Sequence, residues 1–132
     1  MQLAGFSFIV PDVTASVEFY TKAFGFALRY MHPTGQYAEM ETGAVLLSFT
    51  GEVLWEGMIF GSHPYRRAVS GEAPFAGFVA LNVPDLDAAL DRAVEAGAEK
   101  LTDPDAKPWG QSIALIRDLN GNLVELATMP VR

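Results

Sequence analysis

The tripeptide Val10-Pro11-Asp12 returns as Val83-Pro84-Asp85, and the residues around the two copies are patterned alike. A proline ends a strand by withdrawing a backbone donor, and an aspartate after it is a good helix N-cap. Ahead of the first copy, Phe6, Phe8 and Val10 alternate with Gly5, Ser7 and Ile9, which is strand spacing. Behind it, Val13, Val17, Tyr20 and Phe24 recur at helical spacing, and Gly25 supplies a stop. The second copy repeats this. Val79, Leu81 and Val83 alternate with Phe78, Ala80 and Asn82. Leu86, Leu90, Ala93 and Val94 then form a stripe that ends at Gly97, with Asp87, Asp91 and Glu95 on the wet side.

Further strands are predicted over Phe26–Met31, Tyr37–Glu41 and Ala44–Phe49, with turns at Pro33-Thr34-Gly35 and Thr42-Gly43. The second half offers strands near Lys100–Thr102, Gln111–Arg117 and Leu123–Ala127. The order strand–helix–strand–strand–strand therefore occurs twice. Two half-formed sheets imply modules that complete each other's core. The predicted class is α+β, one structural domain in two repeats. The first module covers 1–50, a connecting excursion 51–74, and the second module 75–132. The excursion has weak periodicity but carries Trp55, Met58, Phe60, His63 and Tyr65. Long loops of that kind tend to be functional.

The most informative turn is Arg117-Asp118-Leu119-Asn120-Gly121-Asn122, between the apolar runs Ser112–Ile116 and Leu123–Ala127. Glu125 interrupts the second run. A carboxylate there must meet solvent, a partner or a site. In the first half, Glu41-Thr42-Gly43-Ala44-Val45-Leu46-Leu47 is a weaker copy, and aligning Gly43 with Gly121 sets Leu47 where Glu125 stands.

Composition removes several function classes. A net charge of -7 argues against nucleic acid and anionic membrane surfaces, and suits a cationic ligand. Without cysteine there is no thiolate nucleophile, thiolate metal site or disulfide. No basic leader precedes the first strand, and no apolar run reaches membrane-spanning length, so the expected location is the cytoplasm. Nucleophile elbows, phosphate loops and dinucleotide fingerprints are missing.

Val10-Pro11-Asp12 followed by Ser16-Val17-Glu18-Phe19-Tyr20 and Phe24-Gly25-Phe26 resembles the vicinal oxygen chelate superfamily. That group includes glyoxalase I, extradiol dioxygenases, fosfomycin-modifying enzymes and bleomycin-resistance proteins. In the second half the resemblance runs through Val83–Ala89, Gly97-Ala98, Pro108-Trp109-Gly110 and Arg117–Leu126. It implies paired βαβββ modules with U-shaped mixed sheets around a cleft, commonly in a homodimer. Fold does not fix function. Enzymes of this group hold a divalent metal with one ligand on the first and one on the last strand of each module. The resemblance places those positions at Gly5, Leu47, Phe78 and Glu125, of which only Glu125 has a donor atom. A catalytic ion asks for about three protein ligands. His32 and His63 each precede a proline in a turn or loop. No metal and no cofactor are expected, and the chain resembles most the metal-free bleomycin-resistance type.

With Phe6, Phe8 and Val10 under the helices, the cleft wall would hold Gly5, Ser7, Ile9, Phe78, Ala80 and Asn82. The closing strands would add Val45, Leu47, Phe49, Leu123, Glu125 and Ala127. Such a wall suits an organic ligand oriented by few hydrogen bonds. Trp109 resembles the drug-stacking tryptophan region of bleomycin-resistance proteins. The candidate ligand-binding residues are Ser7, Leu47, Phe49, Trp55, Phe60, Phe78, Trp109 and Glu125. The leading expectation is a binding protein, and not an enzyme, that sequesters a bulky aromatic, cationic compound such as an antibiotic. The alternative is a metal-free isomerase or lyase with Glu125 as acid and base; a metal-dependent glyoxalase or dioxygenase stands behind both. Asp12 and Asp85 are expected as helix caps, and Asp118 as a turn former.

Overall fold

The computed structural model describes residues 1–59, 61 and 64–130. In the first module β1 (Gly5–Val10) leads to helix α1 (Val13–Phe24), then β2 (Ala27–Met31), β3 (Tyr37–Glu41) and β4 (Leu46–Gly51). A short helical turn α2 (Glu52–Leu54) and a π-helical turn (Trp55–Ile59) follow. The second module runs β5 (Phe78–Asn82), α3 (Leu86–Glu95), β6 (Glu99–Lys100), β7 (Asp105–Ala106), β8 (Ser112–Arg117) and β9 (Leu123–Ala127). The mixed sheets are ordered β1-β4-β3-β2 and β5-β9-β8-β6, with β7 also on β8. The two compact units are Met1–Thr21 with Gly25–Ala68, and Lys22–Phe24 with Val69–Arg132.

Both helices start where the repeated Pro-Asp step puts them. Asp12 Oδ1 accepts from Ala15 N at 2.9 Å, and Asp85 Oδ1 accepts from Ala88 N at 3.1 Å. Each aspartate satisfies an N–H that the helix's own ladder leaves orphaned. Gly25 closes α1 at φ 75, in the left-handed region, and its N–H donates to Thr21 O.

In each module the first strand runs parallel to the last. β1 pairs β4 with Phe6 opposite Leu47 and Phe8 opposite Phe49, while β5 pairs β9 with Ala80 opposite Glu125. Helix α1 covers the face that carries Phe8 and Phe49. Tyr20 meets Phe49 edge-on at 4.9 Å between ring centroids, and Phe8 stacks on Phe49 at 6.3 Å. Val10, Tyr20, Met40 and Phe49 have no exposed surface. In the second module, α3 turns Leu86, Leu90 and Ala93 toward β8 and β9, where Ala114, Ile116, Val124 and Leu126 are fully buried.

Several boundaries depart from the sequence reading: β2 begins at Ala27, and β6 covers Glu99–Lys100 in place of Lys100–Thr102. β4 begins at Leu46 and not at Ala44, because Thr42 Oγ1 donates to Val45 O at 2.8 Å and accepts from Leu47 N at 3.1 Å, holding 42–45 as a turn. β7 occupies Asp105–Ala106, where no strand was predicted, and the excursion begins with α2 and the π-turn. Phe60 and His63 lie outside the described residues.

Phe49→Ala should lower the unfolding free energy by about 3–5 kcal/mol, since it empties a ring-lined site. Asp12→Ala should lower it by about 1 kcal/mol. Denaturant titration of each variant checks both values.

Candidate functional site

Strand alternation makes the face away from the helix the candidate site in each module. In the first, the ladder pairs Ser7 with Ser48, Tyr37 with Thr50 and Glu39 with Ser48. Those side chains share the helix-free face. Ser7 Oγ and Thr50 Oγ1 lie 2.8 Å apart, and the Tyr37 hydroxyl donates to Glu39 Oε2 at 3.0 Å. Burial, chiefly, together with the neighbouring Glu39 raises the Tyr37 phenol above its usual value, while a hydrogen bond with the Ser48 side chain pulls the other way. Arg29 reaches Glu41 at 3.7 Å and Glu39 at 4.0 Å. Tyr30 stands 6.5 Å from Tyr37 between ring centroids. This wall is hydroxylated and polar.

The expected places of Leu47 and Phe49 on that wall need correcting. Both face α1, and both are buried. The alignment of Gly43 with Gly121 missed one residue in the Thr42-held turn. Ser7 and Ala80 each stand three residues ahead of a Val-Pro-Asp step, and their ladder partners are Ser48 and Glu125. Ser48 is therefore the counterpart of Glu125. A slip of one residue moves every side chain of a strand to the opposite face. Val45 lies ahead of β4, in the Thr42-held turn.

The second module's helix-free face is greasier. Phe78, Ala80 and Asn82 share it with Leu123, Glu125 and Ala127, and with Ile113 and Leu115 of β8. Phe78 is 58% exposed, so its ring is surface and not core. Glu125 is half-buried between Ala80 and Leu115, and among the described residues no hydrogen bond or ion pair reaches its carboxylate. At one end of this face Arg117 is buried, donating Nε to Gly121 O at 2.8 Å and Nη2 to Glu72 O. Asp118 Oδ1 accepts from Asn120 N and Asn122 N, both at 2.9 Å, and so forms the hairpin turn expected of it. A side chain at Gly121, where φ is 85, would meet Arg117 Nη2 at 2.6 Å.

At the other end Trp109 is 57% exposed, in the turn before β8, with Nε1 donating to Gln111 Oε1 at 2.8 Å. Trp55 is half-buried in the π-turn of the first unit. Nearby, Arg67 bridges Glu52 and Glu56, and the Tyr65 hydroxyl donates to Glu56 Oε1 at 3.0 Å. Burial, then that bond, pushes the Tyr65 phenol up to about 12.

The divalent ion implied by the resemblance does not fit these residues. A Cβ built on Gly5 would lie 2.4 Å from Leu46 O and 2.9 Å from Leu46 Cβ, so that position is closed to any side chain. Ser48 brings a neutral hydroxyl already bonded to Tyr37, and Phe78 brings only hydrocarbon. Glu125 alone is a good donor, against a requirement of about three. His32 is bound into its own turn, with Nδ1 2.7 Å from Thr34 Oγ1. Among the described residues no group of three His, Cys, Asp or Glu side chains could hold a metal.

Residues 2–126 match the model of the Glyoxalase/Bleomycin resistance protein/Dioxygenase superfamily. The chain belongs to that superfamily. An uncharacterized protein of Bacillus subtilis (strain 168), YraH, is 28% identical over 131 residues, spanning 98% of this chain and 99% of that one. A family enzyme from Burkholderia phytofirmans PsJN superposes with a TM-score of 0.81 at 18% identity, over 97% of this chain and 98% of its own. A glyoxalase-related enzyme from Fulvimarina pelagi gives 0.80 at 26% identity, over 99% and 90%. The superfamily's α+β fold with two mixed sheets is thus the fold of this chain. No helix among the described residues is long and apolar enough to cross a membrane.

The sequence reading missed Tyr37, Glu39, Ser48 and Thr50. Alternation of Tyr37 and Glu39 with the apolar Ala38 and Met40 was the available signal.

Gly5→His should destabilise the fold by about 1–3 kcal/mol through overpacking and give no zinc site, to be read by denaturant titration beside zinc titration. Tyr65 predicts a pH effect of definite sign. The folded phenol holds its proton more tightly than the unfolded one at 10.0, so the added stability is complete below pH 10.0 and gone above about 12. Melting curves should therefore show the wild type losing stability relative to Tyr65→Phe as pH rises through that window.

Proposed function

We propose that this protein binds a bulky aromatic small molecule, cationic by preference, against the helix-free face of its second module, without a resident metal. The observation that carries the reading is the fate of the four metal positions, occupied here by Gly5, Ser48, Phe78 and Glu125. Where a metal enzyme needs donors, this chain offers a sealed backbone, a hydroxyl, a ring and one acid. Phe78, Leu123, Leu115 and Trp109 supply apolar and aromatic surface, and Glu125 a single charge to orient a cation. Such a site holds a molecule and leaves it chemically unchanged, as sequestration of an antibiotic requires. Ser7 is a candidate contact on the first module's own helix-free face, where Leu47 and Phe49 are core. Trp55 remains a candidate contact within the first unit. A homodimer belongs to the proposal, because β1 and β5 each stand at the end of their own sheet's strand order, where a second chain can add on. The proposed location is the cytoplasm.

A second reading draws on the Glu125 carboxylate, which has no partner among the described residues. A half-buried acid amid Ala80 and Leu115 could move a proton in an isomerase or lyase.

One experiment separates them. Purified protein is assayed for metal and then incubated with planar cationic antibiotics while the melting temperature is followed. Binding at a hundred times Kd should stabilise the fold by about 2.7 kcal/mol, and the compound should be recovered intact. Glu125→Gln should weaken a cation about five- to tenfold through loss of one charge, roughly 1 kcal/mol. Recovery of an altered compound, with turnover abolished in Glu125→Gln, selects the enzyme; a stoichiometric divalent metal bound through Glu125 would falsify both.

A further inference from the structure

We infer that Gln111 is a positioning residue, holding the Trp109 indole as a ready-set stacking plate for a planar aromatic cation; the inference rests on the binding reading above. Trp109 sits in a tight turn in which Gly110 N donates to Lys107 O at 3.1 Å and Lys107 N donates to Gln111 O at 2.7 Å. Gly110 has φ 94, a conformation that favours glycine. An indole 57% exposed would ordinarily sample several rotamers, and capturing a ligand would then cost the entropy of freezing them. Here the ring is tethered. Its N–H donates to Gln111 Oε1 at 2.8 Å, and Gln111 Nε2 donates to Thr128 O at 2.9 Å.

The far end of this strut is rigid. Thr128 Oγ1 accepts from Ser112 N at 3.0 Å, and Thr128 N donates to Ser112 O at 3.0 Å, which extends the β8–β9 ladder by one step. The two partners also fix the amide's orientation, since the indole needs an acceptor and the carbonyl a donor. An ionised Glu at 111 could serve the first partner and not the second. With its N–H satisfied internally, the indole offers a ligand only its faces. Those faces favour planar rings, and of the aromatic side chains indole attracts cations best. The net charge of -7 favours the same ligands.

The test uses full-length protein and ethidium as a planar cationic probe. The Trp109 indole N–H is assigned in nitrogen-15 spectra by its disappearance in Trp109→Phe, and its solvent exchange is measured. In Gln111→Ala the exchange should quicken at least tenfold and ethidium affinity fall about tenfold, with the melting curve confirming a folded chain. Gln111→Glu should bind ethidium weakly at neutral pH. Unchanged indole exchange in Gln111→Ala overturns the positioning role and leaves the binding reading standing. Wild-type protein that binds no ethidium, or binds it equally well as Trp109→Phe, overturns the aromatic-cation reading and this inference with it.

Discussion

A strand presents alternate side chains to opposite faces, and in each module a helix claims one of those faces. The parallel pairing of β1 with β4 and of β5 with β9 fixes which residues fall on which side. Phe8 opposite Phe49, with Tyr20 edge-on above them, locks the first pair, because sliding it by one residue would turn rings away from the helix and set the Ser48 and Thr50 hydroxyls beneath it. Val124 and Leu126 beneath α3 do the same for β9. The composition of each free face follows from those locks.

The two copies of the repeat differ in the character of their free faces. The first has become a polar wall of Ser7, Ser48, Thr50, Tyr37 and Glu39, joined by side-chain hydrogen bonds. The second is apolar, with one carboxylate. At Gly5, β1 and β4 approach so closely that any Cβ would strike the Leu46 carbonyl. Placing any side chain at that position requires the two strands to move.

The segment ahead of β5 is tied to the repeat by charge and backbone. Buried Arg117 spends its N–H groups on Gly121 O and Glu72 O, which holds the 69–72 turn against the β8–β9 hairpin. A guanidinium is costly to bury unless carbonyls or carboxylates accept its protons. Here two carbonyls do so. Gly121 is small enough to let the guanidinium pass.

Much of this was legible in the chain alone. Val-Pro-Asp twice, with period-two patterning before and helical patterning after, located β1, α1, β5 and α3 and both caps, because those signals are local and strong. Asp118 could be named a turn former for the same reason: its acceptor reaches backbone only two and four residues away. The free-face residues of β4 could not be read, since they depend on a turn whose length Thr42 sets through its own hydrogen bonds, and counting from Gly43 was wrong by one. The linear text also holds no trace of the tether from Trp109 through Gln111 to Thr128, which joins residues brought together only by β8–β9 pairing. Sequence determined the elements and their order, because caps, turns and periodicity act over a few residues. Tertiary structure decided which side chains share a face, because that depends on register between strands far apart in the chain.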